Sequence, residues 1–114
     1  MNQKEITIRF SDEENPSNAA GYAKELGDEL RDEIEDLEVN HAKEDSSTQD
    51  FGATLILLLG APAIVALAKG IAKYIARRPN AELSVDCGNG KTIKFKGDST
   101  DAGKVSEALE KMCN

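Results

Sequence analysis

The sequence lacks most of the residues from which active sites are built. It has no tryptophan, one histidine and two cysteines in 114 residues, and aromatic residues make up 4% of it. The histidine, His41, has no second imidazole, serine partner or set of metal ligands near it in sequence, so a surface or sheet-edge position is the simplest interpretation. Since no nucleophile–base pair can be identified, the sequence predicts a protein without enzymatic activity, catalytic residues, metal ligands or cofactor.

The two cysteines, Cys87 and Cys113, lie far apart and belong to no Cys-x-x-Cys or histidine-rich motif. Such cysteines are expected to be reduced, structural thiols of a cytosolic protein. The first residues, MNQKEITIRFSDEEN, also lack the basic and apolar regions of a secretory signal. We therefore expect a cytoplasmic protein.

Charge is distributed unevenly along the chain. The formal net charge is −7, and residues 1–50 contain five Lys or Arg against fifteen Asp or Glu, whereas residues 51–114 contain nine against six. An acidic first half argues against nucleic-acid binding, which requires a positive stripe to neutralise phosphates. The asymmetry allows head-to-tail self-association or docking on a basic partner, although an ordinary solvated acidic surface is the favoured explanation, because acidity alone specifies no partner.

Local patterns predict an α+β fold in a single domain, residues 1–114. Alternating apolar positions predict strands over 5–10, 35–42, 82–87 and 91–96, and helical spacing predicts helices over 17–31 and after residue 98. The Asn-Gly pair at Asn89 and Gly90 is typical of a tight hairpin turn. With a central helix, the order β-α-β-α-β-β-α predicts a mixed four-stranded sheet covered by helices.

The stretch 51–78, FGATLILLLGAPAIVALAKGIAKYIARR, is the longest apolar segment, and residues 51–68 carry no charge. It predicts one long apolar helix, with a kink or break near Gly60 and Pro62 and a stop at Arg77 and Arg78. Such a helix would be about 42 Å long and would overhang a domain with a radius of gyration of about 13 Å. Its apolar end would then remain partly uncovered in a monomer.

Three interpretations of this helix remain open. In the first, the overhang is an association surface of a soluble domain; in the second, helix 51–78 inserts into the bilayer or lies on it; in the third, the domain is fully monomeric. Membrane insertion is less favoured because it would separate strands that need one another. The first interpretation identifies six interaction residues: Leu55, Leu57, Leu58, Leu59, Ile64 and Leu67.

The chain contains an apolar segment that ends in Arg-Arg, DFGATLILLLGAPAIVALAKGIAKYIARRP, followed by a charged hairpin segment, AELSVDCGNGKTIKFKG. In these segments, and in the order of its elements, it resembles the effector-associated constant component family of small bacterial proteins. The resemblance implies an adaptor in a bacterial conflict or antiviral defence system, encoded beside effectors such as peptidases, TIR domains or NTPase-type signalling proteins. It implies no catalytic residues. The expected partners are therefore such a protein effector, a second copy of the chain, or both.

Overall fold

The chain pairs strands from both of its halves in one antiparallel sheet. The structure is a computed structural model, and it describes residues 3–11, 18–35, 37–41, 54–78, 80–88, 92–96 and 102–113. Within these residues the sheet order is β2-β3-β1-β4-β5. The elements, in chain order, are β1 (Gln3–Ser11), α1 (Asn18–Glu33), β2 (Glu38–His41), β3 (Thr54–Gly60), α2 (Ile64–Ala76), β4 (Glu82–Asp86), β5 (Thr92–Lys96) and α3 (Ala102–Cys113).

The elements with a clear periodicity lie where the sequence predicts them. β1 and α1 match the first predicted strand and helix, and β4 pairs with β5 as an antiparallel hairpin. In that hairpin Leu83 lies opposite Phe95 and Val85 lies opposite Ile93. The Asn-Gly pair predicted for the turn lies outside the described residues. The α+β class is confirmed.

The prediction of one long helix over 51–78 is wrong, because its first part is a strand. Residues 54–60 form β3, which pairs with β1 on one side and β2 on the other. Leu55, Leu57 and Leu59 are 0–1% exposed, whereas Ile56 and Leu58 are partly exposed. A short apolar run bounded by glycine and proline suits a strand that is paired along both edges. Pro62 lacks the N–H that would continue such a ladder, so the chain turns there and starts a helix.

This strand also corrects the predicted sheet. The described residues contain five strands where four were predicted, and every pairing is antiparallel, so the sheet is not mixed. β2 is shorter than predicted and lies at one edge of the sheet. His41, its last residue, is therefore at the sheet edge, as expected.

The helical part of the central stretch is α2, a helix of 13 residues. Ile64, Leu67, Ile71 and Ile75 lie on its buried side, and Arg77 is its C-cap, which confirms the predicted stop. Within the described part of the chain, no helix has the length and apolar character needed to cross a membrane.

Two glycines allow α1 to approach its neighbours closely. A Cβ atom on Gly27 would lie 3.2 Å from Cγ1 of Val39 on β2, and a Cβ on Gly70 of α2 would lie 2.7 Å from Cδ2 of Leu30. A Cβ at Gly70 would require the side chain of Leu30 to shift, and a Cβ at Gly27 would require Val39 to move by a few tenths of an ångström. One cluster of buried side chains runs through all eight elements and fills the space between the helices and the sheet.

Candidate functional site

The sheet has a second face, opposite the core, which we call the outer face. It follows from strand geometry, because alternate residues point to opposite sides. Along β1, for example, Ile6 and Ile8 are buried, whereas Glu5 and Arg9 are exposed. By the pairing register the outer face carries Glu5, Thr7, Arg9 and Ser11 of β1, Glu38 and Asn40 of β2, Thr54, Ile56 and Leu58 of β3, Glu82, Ser84 and Asp86 of β4, and Thr92, Lys94 and Lys96 of β5. Of these, Thr54 is buried, at 2% exposed.

The pairing register arranges the charges of the outer face in rows that cross the strands. One row contains Glu38, Leu58 and Glu5. Another contains Arg9, Ser84 and Lys94. The first row is acidic and the second is basic, and four residues along β1 separate them by about 13 Å.

Two features of the outer face are unusual for a surface exposed to water. Ile56 and Leu58 are aliphatic and partly exposed on β3, one strand from the centre of the sheet. Glu5 and Arg9 are exposed, and neither side chain forms an ion pair or hydrogen bond with any residue in the described ranges. The face therefore places two partly exposed aliphatic residues beside two charges that have no partner in the described ranges, and protein interfaces also combine apolar with polar contacts.

A shallow groove of about 230 Å³ crosses the outer face and is lined by Thr7, Arg9, Ser84, Asp86 and Thr92. The carboxylate of Asp86 is partly engaged, since its Oδ1 accepts a hydrogen bond of 2.8 Å from the N–H of Gly88. The described part of the lining offers hydroxyls, one guanidinium and one carboxylate. Such a groove can hydrogen-bond a polar group of a partner.

The six residues predicted for interaction do not share one surface. Leu55, Leu57, Leu59, Ile64 and Leu67 are between 0% and 3% exposed and pack in the core, so they are not accessible in the folded monomer. Of the six, Leu58 is the one that is partly exposed, and it lies on the outer face. The exposed helical overhang on which the six were chosen does not exist, because β3 occupies that segment.

Sequence reasoning missed Glu5, Arg9 and Ile56 as surface candidates. The alternation along β1 was visible and predicted that Arg9 faces away from the core. The same alternation within 54–60 was hidden, because the outward positions Ile56 and Leu58 are as apolar as the inward ones.

A second polar cluster joins α1 to α2. The hydroxyl of Tyr74 donates a hydrogen bond of 2.7 Å to Oε1 of Glu25, and Arg78 binds the same carboxylate at 3.2 Å. Arg77 pairs with Glu29 one turn further along α1. The hydrogen bond from Tyr74 is the main cause that lowers the pKa of Glu25, and Arg78 lowers that pKa further.

The pKa of Tyr74 is shifted as well. Burial is the main cause that raises the pKa of Tyr74 above its ordinary value of 10.0, and the hydrogen bond to Glu25 raises this pKa further. The Tyr74 ring contacts Phe10 edge-on at 5.9 Å, and the guanidinium of Arg78 lies 5.5 Å from its centre. Perturbed pKa values occur at active sites and in structural ion-pair networks alike. Because Tyr74 is buried and its hydroxyl is bound to Glu25 of α1, we interpret the cluster as a clamp that holds the two helices together.

The two cysteines form a disulfide, so the expectation of reduced thiols is wrong. Cys87 follows β4 and Cys113 ends α3, and their Cα atoms are 5.2 Å apart although 26 residues separate them in sequence. The fold brings the end of β4 and the end of α3 together, and the spacing of the two cysteines in the sequence could not indicate this contact. The backbone carbonyl of Cys113 also accepts a hydrogen bond of 2.7 Å from Nζ of Lys4, which ties the end of α3 to β1.

In the described ranges no three His, Cys, Asp or Glu side chains are grouped closely enough to hold a metal ion. The outer face therefore remains the strongest candidate for a functional surface. Family models, curated proteins and solved structures were all compared with the chain, and none of them matches it.

Proposed function

We propose that the protein is a non-enzymatic adaptor or regulatory component of a bacterial conflict system that acts by binding an effector protein or a second copy of itself. The observation that supports this is the outer face, where Ile56 and Leu58 lie partly exposed next to Glu5 and Arg9, two charges without a partner among the described residues. Protein interfaces commonly combine apolar contacts with polar and charged ones. The class of effector, a peptidase, TIR or NTPase-type protein, follows from the resemblance in sequence alone.

The way the outer face is held favours binding. β3 is paired on both edges and its inner side is fully packed, so Ile56 and Leu58 need little ordering when a partner arrives. A partner that meets a preorganised surface loses less conformational entropy in the complex. The nearby charges of Glu5 and Arg9 then discriminate between partners, because like charges placed opposite one another disfavour the wrong complex.

The test is binding to candidate effector proteins of the peptidase, TIR or NTPase type that the resemblance implies. We expect Leu58→Lys and Ile56→Lys to abolish co-purification and to weaken calorimetric binding, because each places an ammonium group in the apolar part of the outer face. Val65→Lys is the matched control, since Val65 is 41% exposed on α2, away from the outer face. If both outer-face variants are folded and bind as the wild type does, this surface is not the adaptor site.

We also propose a cytoplasmic location, where an adaptor would meet intracellular effectors. The disulfide between Cys87 and Cys113 bears on this proposal, because disulfides are rare in the cytosol and those found there are usually transient. Fractionation combined with thiol trapping in intact cells tests it. We expect cytoplasmic protein with a measurable fraction of free thiols; fully oxidised protein recovered from an oxidising compartment would refute the location.

A further inference from the structure

The outer face has features that make it complementary to itself. We propose that two copies of the chain pack outer face against outer face. They are related by a two-fold axis (a dyad) that lies between the two faces, perpendicular to the strands, and passes above Thr7. This inference rests on the proposed function, because it identifies the self-association that the adaptor proposal leaves open. It commits to a second copy as the occupant of the face.

The charges on β1 support this dyad. Glu5 and Arg9 lie two residues before and two residues after Thr7, so all three side chains point to the outer face. A dyad across the strands reverses the direction of β1 in the second copy. Each Glu5 then faces Arg9 of the other copy, and the contact occurs twice. Both charges lack an ion-pair partner among the described residues of the monomer, and the dimer provides one for each.

The apolar residues support the same arrangement. Ile56 is paired with Thr7 in the sheet register, so it lies close to the same dyad and faces Ile56 of the second copy. Leu58 flanks this contact on β3. Two sheets that pack face to face lie about 10 Å apart, with strands aligned to within about 30°, and that separation allows facing aliphatic side chains to meet.

The size of the face indicates a weak dimer. Five strands spaced by about 4.8 Å, with about five residues each, give a face of roughly 24 by 17 Å. The area of this face is smaller than the roughly 800 Å² of surface that each partner contributes to a standard interface. Asp86 is paired with Thr7 in the sheet register, so it faces Asp86 of the second copy, and the repulsion between these like charges opposes close approach. We therefore expect a reversible equilibrium that depends on protein concentration.

Charge exchange followed by sedimentation velocity tests the dyad. We expect wild-type protein to dimerise with rising concentration, and Arg9→Glu or Glu5→Arg to weaken the dimer by about tenfold or more, because each puts like charges opposite one another. Mixing the two single variants restores opposite charges at both contacts and should yield a heterodimer. Lys24→Glu changes the net charge by the same amount as Arg9→Glu, at an exposed position on α1, and should leave dimerisation unchanged.

A further variant tests the position of the axis. Asp86→Asn removes the like-charge repulsion and keeps a side-chain oxygen for the N–H of Gly88, so it should tighten the dimer. A wild-type protein that stays monomeric at all concentrations, or single variants whose mixture stays monomeric, would overturn the dyad. The adaptor proposal is tested separately: a monomer in which Leu58→Lys abolishes effector binding refutes the dimer and leaves the adaptor function standing.

Discussion

Alanine substitutions at two adjacent leucines distinguish the strand from the helix that the sequence suggests. Leu57 is fully buried, so Leu57→Ala removes three carbon atoms from the core. At about 0.8 kcal/mol per buried CH₂ the transfer loss is about 2.4 kcal/mol, and the cavity left behind raises the total to about 3–4 kcal/mol. Leu58 is partly exposed on the outer face, where no closed cavity can form, so Leu58→Ala should cost about 1 kcal/mol.

The assay is urea unfolding followed by circular dichroism, with the slope of the transition compared between variants. Leu57→Met is the control, because it conserves the volume of the side chain and should cost less than about 1.5 kcal/mol. The series extends to Leu55 and Leu59, which should behave like Leu57, and to Ile56, which should behave like Leu58. In a helix, residues 55, 57 and 59 could not share one face. Equal losses at positions 57 and 58 would refute the strand.

Other contacts give further predictions. Tyr74→Phe should lower the free energy of unfolding by about 1 kcal/mol, because a hydrogen bond to the α1 carboxylate is lost. The pKa of Tyr74 is raised in the folded state, so the free energy of unfolding of the wild type should fall as pH rises above about 10. Tyr74→Phe has no hydroxyl to ionise, so its free energy of unfolding should fall less over the same pH range, and unfolding curves measured against pH test this. Gly70→Ala should destabilise by about 1–2 kcal/mol because overpacking exceeds the gain in helix propensity, whereas Gly21→Ala, which meets nothing within 4 Å, should stabilise by about 0.5–1 kcal/mol in the same assay. Cys113→Ser should lower the unfolding midpoint, since a disulfide that closes a loop of 26 residues contributes about 3.5 kcal/mol by chain entropy; equal midpoints for this variant and the oxidised wild type would contradict that contribution.

The sequence predicts elements well where polar and apolar residues alternate. In β1 and in the β4–β5 hairpin, inward aliphatic residues alternate with charged or hydroxyl residues, so both the type of element and its buried face can be read directly. The central stretch offers no such contrast. Between residues 54 and 68 nearly every position is apolar, so neither a period of two nor a period of 3.6 is visible. The pair Gly60 and Pro62 marked the boundary, but it was interpreted as a kink within one helix.

The candidate site depends on topology, which local patterns do not contain. Glu5 and Arg9 could be placed on one face of a strand from the sequence, but their position at the middle of the outer face requires β1 to lie between β3 and β4. The pairing of Cys87 with Cys113 likewise requires the end of α3 to lie beside the residue that follows β4. Such contacts between residues distant in sequence are set by packing of the whole domain.

β3 departs from the pattern of the other strands in one respect that packing does not explain. On an antiparallel sheet with one packed face, the outward positions are usually polar, and β1, β4 and β5 follow this rule. On β3, Leu55, Leu57 and Leu59 supply the core contacts, so the apolar residues at 56 and 58 contribute much less to folding than these inward leucines do. Positions that break a local rule with little gain in stability are expected where function acts. Stability and binding should therefore separate within this one strand: substitutions at inward positions unfold the domain, and substitutions at outward positions leave it folded but unable to bind.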